Sequence, residues 1–237
     1  MQNSSMALVL LSGGLDSVTT LAWAIDEGYM IESTLSFTYG QRHLRELEAA
    51  AAVAAHYGVT HNVVELTPIS GSPLTGLGSI PQGRDLRRLD EQIAPTYVPN
   101  RNMILLSYAA AHALRTTANV LIGGWNAADS ANYPDCREEF LAATEQTLRL
   151  ATLRDFTIVR PLVRLDKPAI VRLALGLQAP VQHTWTCYLG GQRACGQCDA
   201  CQLRVTAFQA VGVIDPLPYD LEIDWSGCRP LEGKHYA

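Results

Sequence analysis

Lysine is nearly missing from this chain of 237 residues: Lys167 and Lys234 are its two lysines, and the other basic residues are arginine. With acidic residues in excess and a net charge of −5, the chain has no broad cationic face. That argues against a protein that grips nucleic acid through its phosphates. A compositional bias of the genome explains the scarcity, which also makes Lys167 stand out. Long apolar runs are missing too. Ala7–Leu11 is too brief for a signal h-region or a membrane span, and Met103–Leu114 is interrupted by Ser107, Tyr108 and His112. No internal repeat or low-complexity tract is found, and cytoplasmic residence with no membrane partner is the expectation. What is present is an ordinary globular composition, 48% apolar, in a length that suits one α/β core with a small appended lobe.

The organisation is read from hydrophobic period and turn signals. Ala7–Leu11 is a continuous apolar run, as expected of a strand buried on both faces of a parallel sheet. A helix is expected from Asp16 to Glu27, stopped by Gly28, and a strand from Ile31 to Thr38. An alanine-rich helix from Arg42 to Tyr57 and a strand over Asn62–Leu66 follow. From Thr67 to Pro99 the pattern dissolves into a long loop. It resumes with a helix over Arg101–Thr116, a strand over Val120–Gly123, a loop over Trp125–Cys136 and a helix over Arg137–Ala151. A strand over Thr157–Val159 and a helix opening at Pro168 complete the regular part. This alternation predicts a Rossmann-like, doubly wound parallel sheet. The expected division is an α/β domain over 1–180, with a zinc-binding segment and irregular tail over 181–237 packed on it.

Two motifs carry chemistry. Ser12-Gly13-Gly14-Leu15-Asp16-Ser17 joins the first strand to the first helix, where the edge of a parallel sheet meets a helix N-terminus and anions bind. The glycines let the backbone approach phosphate oxygens, Ser12 and Ser17 add hydroxyl donors, and Asp16 can orient a phosphate-bound metal. A tight turn with a capping Asp or Ser is the plain alternative. The hexapeptide resembles the pyrophosphate loop of the ATP-pyrophosphatase superfamily, which implies attack on the α-phosphate of ATP and release of pyrophosphate. The second motif is Cys187-x7-Cys195-x2-Cys198-x2-Cys201. Four thiolates at this spacing suit a closed tetrahedral zinc site of structural kind, with an iron–sulfur cluster as the competing group. Aromatic and basic residues are too few around the cysteines to favour a nucleic-acid module.

Joined in one chain, the two motifs resemble the 7-cyano-7-deazaguanine synthase family. Further matches are Tyr39-Gly40-Gln41-Arg42-His43, Val98-Pro99-Asn100-Arg101-Asn102, Tyr133-Pro134-Asp135-Cys136-Arg137, Asp166-Lys167 and His183–Tyr188. The resemblance implies conversion of 7-carboxy-7-deazaguanine to its nitrile with ammonia and ATP. The carboxylate is adenylated, the amide forms, and the amide oxygen is activated and expelled in turn. Ser12 to Ser17 would hold the ATP phosphates with Mg²⁺ near Asp16. Tyr39, Gln41, Arg42 and His43 would border nucleotide or substrate. Lys167 would place a cation on the α-phosphate or the leaving pyrophosphate, and Arg101 a guanidinium fork on phosphate or carboxylate. Asp129 and Asp135 are candidates to read the deazaguanine ring, Arg137 to hold its carboxylate, Tyr133 to stack, and His43 and His183 to shuttle protons. One structural Zn²⁺ per chain and a homodimer are implied as well. Departures from the family pattern include Asn100 in place of a frequent glycine, Thr38 in place of an acidic residue, and a first cysteine spacer of seven residues where eight is commoner. Competing expectations are an adenylating enzyme with another amine acceptor, an RNA thiolation enzyme using Cys136, and a non-catalytic zinc module.

Overall fold

The computed structural model describes residues 5–76, 78–86 and 93–231. Five strands form one parallel sheet: β1 (Met6–Leu10), β2 (Met30–Thr38), β3 (His61–Glu65), β4 (Val120–Ile122) and β5 (Thr157–Val159), in the order β3-β2-β1-β4-β5. The strand order reverses between β1 and β4, so the loops leaving these two strands flank a crevice at the carboxyl edge of the sheet. Central β1 is apolar because both of its faces are covered. Ala7 and Val9 join a core with α1 (Leu15–Asp26), α2 (Arg45–Tyr57), α6 (Lys167–Gly176) and α7 (Asp199–Val211). Leu8 joins a second core with α3 (Arg101–Ala113) and α5 (Glu138–Thr152) on the opposite face.

Most element boundaries fall within a few residues of the sequence reading, and two regions differ from it. The loop expected over Trp125–Cys136 contains a short helix, α4 (Ala127–Asn132), and a 3₁₀ turn over Pro134–Cys136. Asn126 opens α4 by accepting the Asp129 N–H at 3.0 Å. The cysteine segment runs directly into α7, with Cys198 at its N-cap and Gly212 in the left-handed conformation as its stop. Phe208 on α7 is fully buried in the same core as β1 and α6. Residues 181–231 therefore extend the α/β core and carry a smaller cluster around the cysteines at its edge; the part of the expected tail beyond residue 231 lies outside the described residues.

A buried ion pair fastens that extension. The Arg204 guanidinium on α7 donates to both oxygens of Asp215, at 2.6 and 2.9 Å, with side chains 1% and 0% exposed. Its remaining N–H groups reach Thr184 Oγ1 at 2.7 Å, Thr186 Oγ1 at 3.0 Å and the Val181 carbonyl at 3.4 Å. Asp215 also accepts the Tyr219 hydroxyl at 2.6 Å and the Leu217 N–H at 3.0 Å. Charges this deep are tolerated because their donors and acceptors are paired. Asp215→Ala leaves the arginine buried and unpaired, so it is expected to cost roughly 3–5 kcal/mol in denaturant unfolding. A loss below about 1 kcal/mol would contradict this account of how the segment is fastened.

Candidate active site at the sheet switch point

The crevice between the β1 and β4 loops opens into a cavity of about 290 Å³. The chain leaves β1 through Ser12–Gly14 and enters α1 with no side-chain cap on that helix, so first-turn N–H groups remain to meet an anion. Gly13 has φ of +86°, and a Cβ there would lie 2.2 Å from the Glu46 carbonyl and 2.7 Å from the Ala50 N. Both facts require glycine. The hydroxyls shape the turn from within: Ser17 Oγ accepts the Gly13 N–H at 3.2 Å and donates to the Gly14 carbonyl at 3.0 Å, and Ser12 Oγ lies 3.1 Å from it. On the other side, a Cβ on Gly124 after β4 would lie 3.0 Å from the Asp16 carbonyl. The two loops thus close on each other.

Beside the phosphate loop lies a charged cluster. Lys167, at the start of α6, donates to Asp16 Oδ2 at 2.6 Å. Asn126 Nδ2 bridges Asp16 Oδ2 at 3.3 Å and Asp129 Oδ2 at 2.6 Å. Burial works against the Lys167 ammonium, but the Asp16 and Asp129 carboxylates outweigh it and hold its pKa above the ordinary lysine value. Burial pushes Asp129 upward, helped by the like charge of Asp16 and opposed by Lys167. Asp16 Oδ1 is buried without a hydrogen-bond partner among the described residues. A second carboxylate nearby and one orphaned oxygen are a donor set that fits a divalent cation with oxygen ligands.

The opposite wall comes from the loop after β2 and from the N-termini of α2 and α3. Arg101 Nη1 donates to the Tyr39 hydroxyl at 3.2 Å, with its guanidinium carbon 5.8 Å from that ring's centre. Gln41 spends its side chain on its own loop, accepting the Tyr39 N–H at 2.7 Å and donating to the Phe37 carbonyl at 2.9 Å. Arg42 ties down the following loop through the Gly76 carbonyl at 2.6 Å and the Gly78 carbonyl. The His43 ring fills the space that a side chain on Gly190 would need. Tyr133 lines the cavity and shares a 2.7 Å hydrogen bond with Thr96.

Two residues named for the substrate fall elsewhere. Asp135 is buried outside the cavity lining and accepts the Asn102 N–H at 2.9 Å, in the first turn of α3. Its chemistry is spent on a helix terminus. Arg137 is exposed and donates to the Ser130 carbonyl at 3.3 Å. His183 also lies outside the lining, in a 3₁₀ turn. Asn100, at the N-cap of α3, adopts φ of +56°, a conformation that asparagine tolerates better than most residues. The cavity lining also includes Trp185, from the matched stretch His183–Tyr188, and Trp125 and Glu46, to which the sequence alone assigns no role. A carboxylate three residues after His43, in the first turn of an alanine-rich helix, was the available signal for Glu46.

The cysteine cluster sits behind this wall. The four sulfurs lie within 4.8 Å of one another, and Cys195 Sγ is 3.9 Å from Cys201 Sγ. Tetrahedral zinc with bonds of about 2.3 Å needs sulfurs about 3.8 Å apart. The N–H groups of Leu189 and Cys195 point at Cys187 Sγ, and those of Gln197 and Cys198 at Cys195 Sγ, at 3.3–3.4 Å. Such donors favour thiolates, so the residues fit a thiolate-bound metal. Two residues before Cys187, the Trp185 N–H donates to the Gly13 carbonyl at 2.9 Å, joining the cysteine segment to the phosphate loop.

The chain is similar to several known proteins. Residues 6–212 match the model of the family described as "Queuosine biosynthesis protein QueC". The 7-cyano-7-deazaguanine synthase of Thermosynechococcus vestitus is 46% identical over 92% of this chain and 97% of its own. That of Thermoplasma acidophilum is 46% identical over 90% and 92%. A looser likeness is found to the NMN synthetase of Francisella tularensis, with a TM-score of 0.49 at 16% identity over 81% of this chain and 71% of that one.

Glu46 makes the cavity pH-sensitive. Burial pushes its carboxyl from 4.5 to about 7, opposed by Arg101 and reinforced by Cys187. The fold therefore holds a proton that the unfolded chain releases. This penalty is absent below pH 4.5, grows as pH rises, and is complete above 7. Glu46→Gln should raise unfolding stability by about 2–3 kcal/mol at pH 8 and by less than about 1 at pH 5. A pH-independent difference, measured by denaturant titration, would contradict the assignment.

Proposed function

The chain belongs to the queuosine biosynthesis protein QueC family, and from that membership we propose that it converts 7-carboxy-7-deazaguanine, ammonia and ATP into 7-cyano-7-deazaguanine. The observation that carries the reading is the Asp16–Lys167–Asp129 cluster set against an uncapped helix N-terminus in the crevice. A carboxylate oxygen leaves poorly until it carries AMP, so the site must bring a carboxylate to the α-phosphate of ATP and stabilise the charge that develops there. The Lys167 ammonium, kept protonated by two carboxylates, supplies a fixed cation for that phosphorus or for the departing pyrophosphate. Arg101, steadied by Tyr39, offers a fork for an anionic oxygen.

The chemistry then runs twice at one place. The carboxylate attacks the α-phosphorus and expels pyrophosphate, and ammonia displaces AMP to give the amide. The amide oxygen attacks a second ATP, and loss of AMP and a proton leaves the nitrile. Mg²⁺ on Asp16 Oδ1 and Asp129 would neutralise the phosphate chain. Zn²⁺ on Cys187, Cys195, Cys198 and Cys201 would hold the segment bearing Trp185 in place. Residues 181–237 act in this reading as a zinc-binding lobe on the α/β domain of residues 1–180. The expected form is a cytoplasmic homodimer. Among the described residues no helix is long and apolar enough to cross a membrane, and α3 exposes Ile104 and Tyr108 on one face.

Sulfur transfer is disfavoured by Cys136. Burial pushes its thiol well above the ordinary range, with Asp129 adding to the shift, and a thiol so placed is a poor nucleophile. The test is product analysis by mass spectrometry, using zinc-loaded protein with the carboxy acid, ATP, Mg²⁺ and ammonium. Wild type should yield the nitrile with AMP and pyrophosphate, and Lys167→Ala should lower the rate about 10²–10³-fold with the fold retained. Absence of nitrile from the wild-type protein would refute the proposal.

A further inference from the structure

Three carboxylates line the cavity: Asp16, Asp129 and Glu46. The first two are engaged with Lys167 and Asn126 at the phosphate end. Glu46 is different. It stands on the first turn of α2 against the phosphate loop, and the influences on its carboxyl are burial and the charges of Arg101 and Cys187, with no hydrogen bond among them. Arg101 does not pair with it directly, since its guanidinium is spent on the Tyr39 hydroxyl and ring. A half-buried acid that lines the cavity and has no hydrogen-bond donor among the described residues is free to accept donors from a ligand.

The surroundings of Glu46 indicate what kind of ligand supplies the donors. A Cβ on Gly13 would touch the Glu46 main-chain carbonyl, and the Gly13 carbonyl accepts the Trp185 main-chain N–H at 2.9 Å, so the backbones of Glu46 and Trp185 meet at the same glycine and both residues line the cavity. The Trp185 indole lines the cavity while the Arg45 guanidinium lies 4.7 Å from its centre. Trp185 is 3% exposed and its ring N–H is held by the Cys187 carbonyl at 3.0 Å, which fixes the plane of the indole. A fixed aromatic residue and a carboxylate with open acceptors lining one cavity suit a flat heterocycle that presents two adjacent N–H donors on one edge. A ribose diol could use the carboxylate but would gain nothing from the plane.

Resting on the proposed reaction for its substrate, we propose that Glu46 is the specificity residue for the base, its two oxygens accepting the ring N–H and the neighbouring 2-amino hydrogen of the deazaguanine while Trp185 borders the ring face. Asp135, which caps a helix, has no part in this, and Asp129 stays with the phosphate-end cluster.

The test uses the zinc-loaded full chain and equilibrium binding, so that it does not depend on turnover. Dissociation constants are measured calorimetrically for 7-carboxy-7-deazaguanine, for its analogue lacking the 2-amino group, and for ATP, in wild type, Glu46→Gln and Trp185→Phe. Wild type should bind the acid at least about tenfold more tightly than the analogue, because the lost donor leaves a buried acceptor unpaired. In Glu46→Gln that preference should fall below about threefold, with ATP affinity within about twofold of wild type. Trp185→Phe should keep the preference for the 2-amino group. An equal preference in wild type and Glu46→Gln would overturn the assignment, and so would a loss confined to ATP, the mark of a ribose-binding acid. A wild-type chain that shows the predicted binding pattern but forms no nitrile would refute the proposed reaction and still support Glu46 as the reader of the base.

Discussion

The Ser12–Ser17 loop can exist only because Gly13 has no side chain. Three parts of the molecule converge on that position: the α2 backbone at Glu46 and Ala50, the Trp185 N–H from the cysteine segment, and the Ser17 hydroxyl from α1. A single added carbon would separate them. The close approach seats α2 against the start of α1, brings the cysteine segment over the crevice, and leaves the helix N-terminus open toward the cavity. Parallel β1, buried on both faces, anchors this junction from below.

From that junction the division of labour follows. The side facing β4 is ionic, with Lys167 between two carboxylates and Asn126 tying the carboxylates together. The side facing β2 and the cysteine segment is aromatic, with one acid that burial keeps near neutrality. In the proposed reaction, anion chemistry belongs to the first and recognition of a flat ring to the second, and the cysteine knot touches neither reaction partner. It acts through the short link from Cys187 back to Trp185, with Thr186 alone between them, and through α7, whose Arg204 locks the segment to Asp215.

How much of this could be read from the amino acids depended on how local each feature is. β1, the Gly-Gly turn and the cysteine knot are written in adjacent residues, and the structure brings Asp16 and Lys167 together across 151 positions of sequence. Helix α7 is masked in the sequence because its N-cap, Cys198, and its first-turn Cys201 belong to the cysteine motif and read as a knuckle. Asp135 reads from sequence either as a ligand-binding acid or as a helix cap, because a carboxylate beside Tyr and Cys looks the same whether it faces a cavity or a helix end. Only the fold places the Asn102 N–H before it. Glu46 and the Arg204–Asp215 pair are invisible for the same reason, since burial gives them their meaning and sequence spacing does not report burial.

The proposed function requires the crevice to activate a carboxylate at the α-phosphate of ATP. The most direct measurement supplies the substrate with both carboxylate oxygens as oxygen-18 and follows the label by mass spectrometry. Attack at the α-phosphate predicts AMP carrying one labelled oxygen, two labelled AMP molecules for each nitrile formed, and unlabelled pyrophosphate. Label recovered in inorganic phosphate, with ADP as the nucleotide product, would mean activation at the γ-phosphate and would contradict the account.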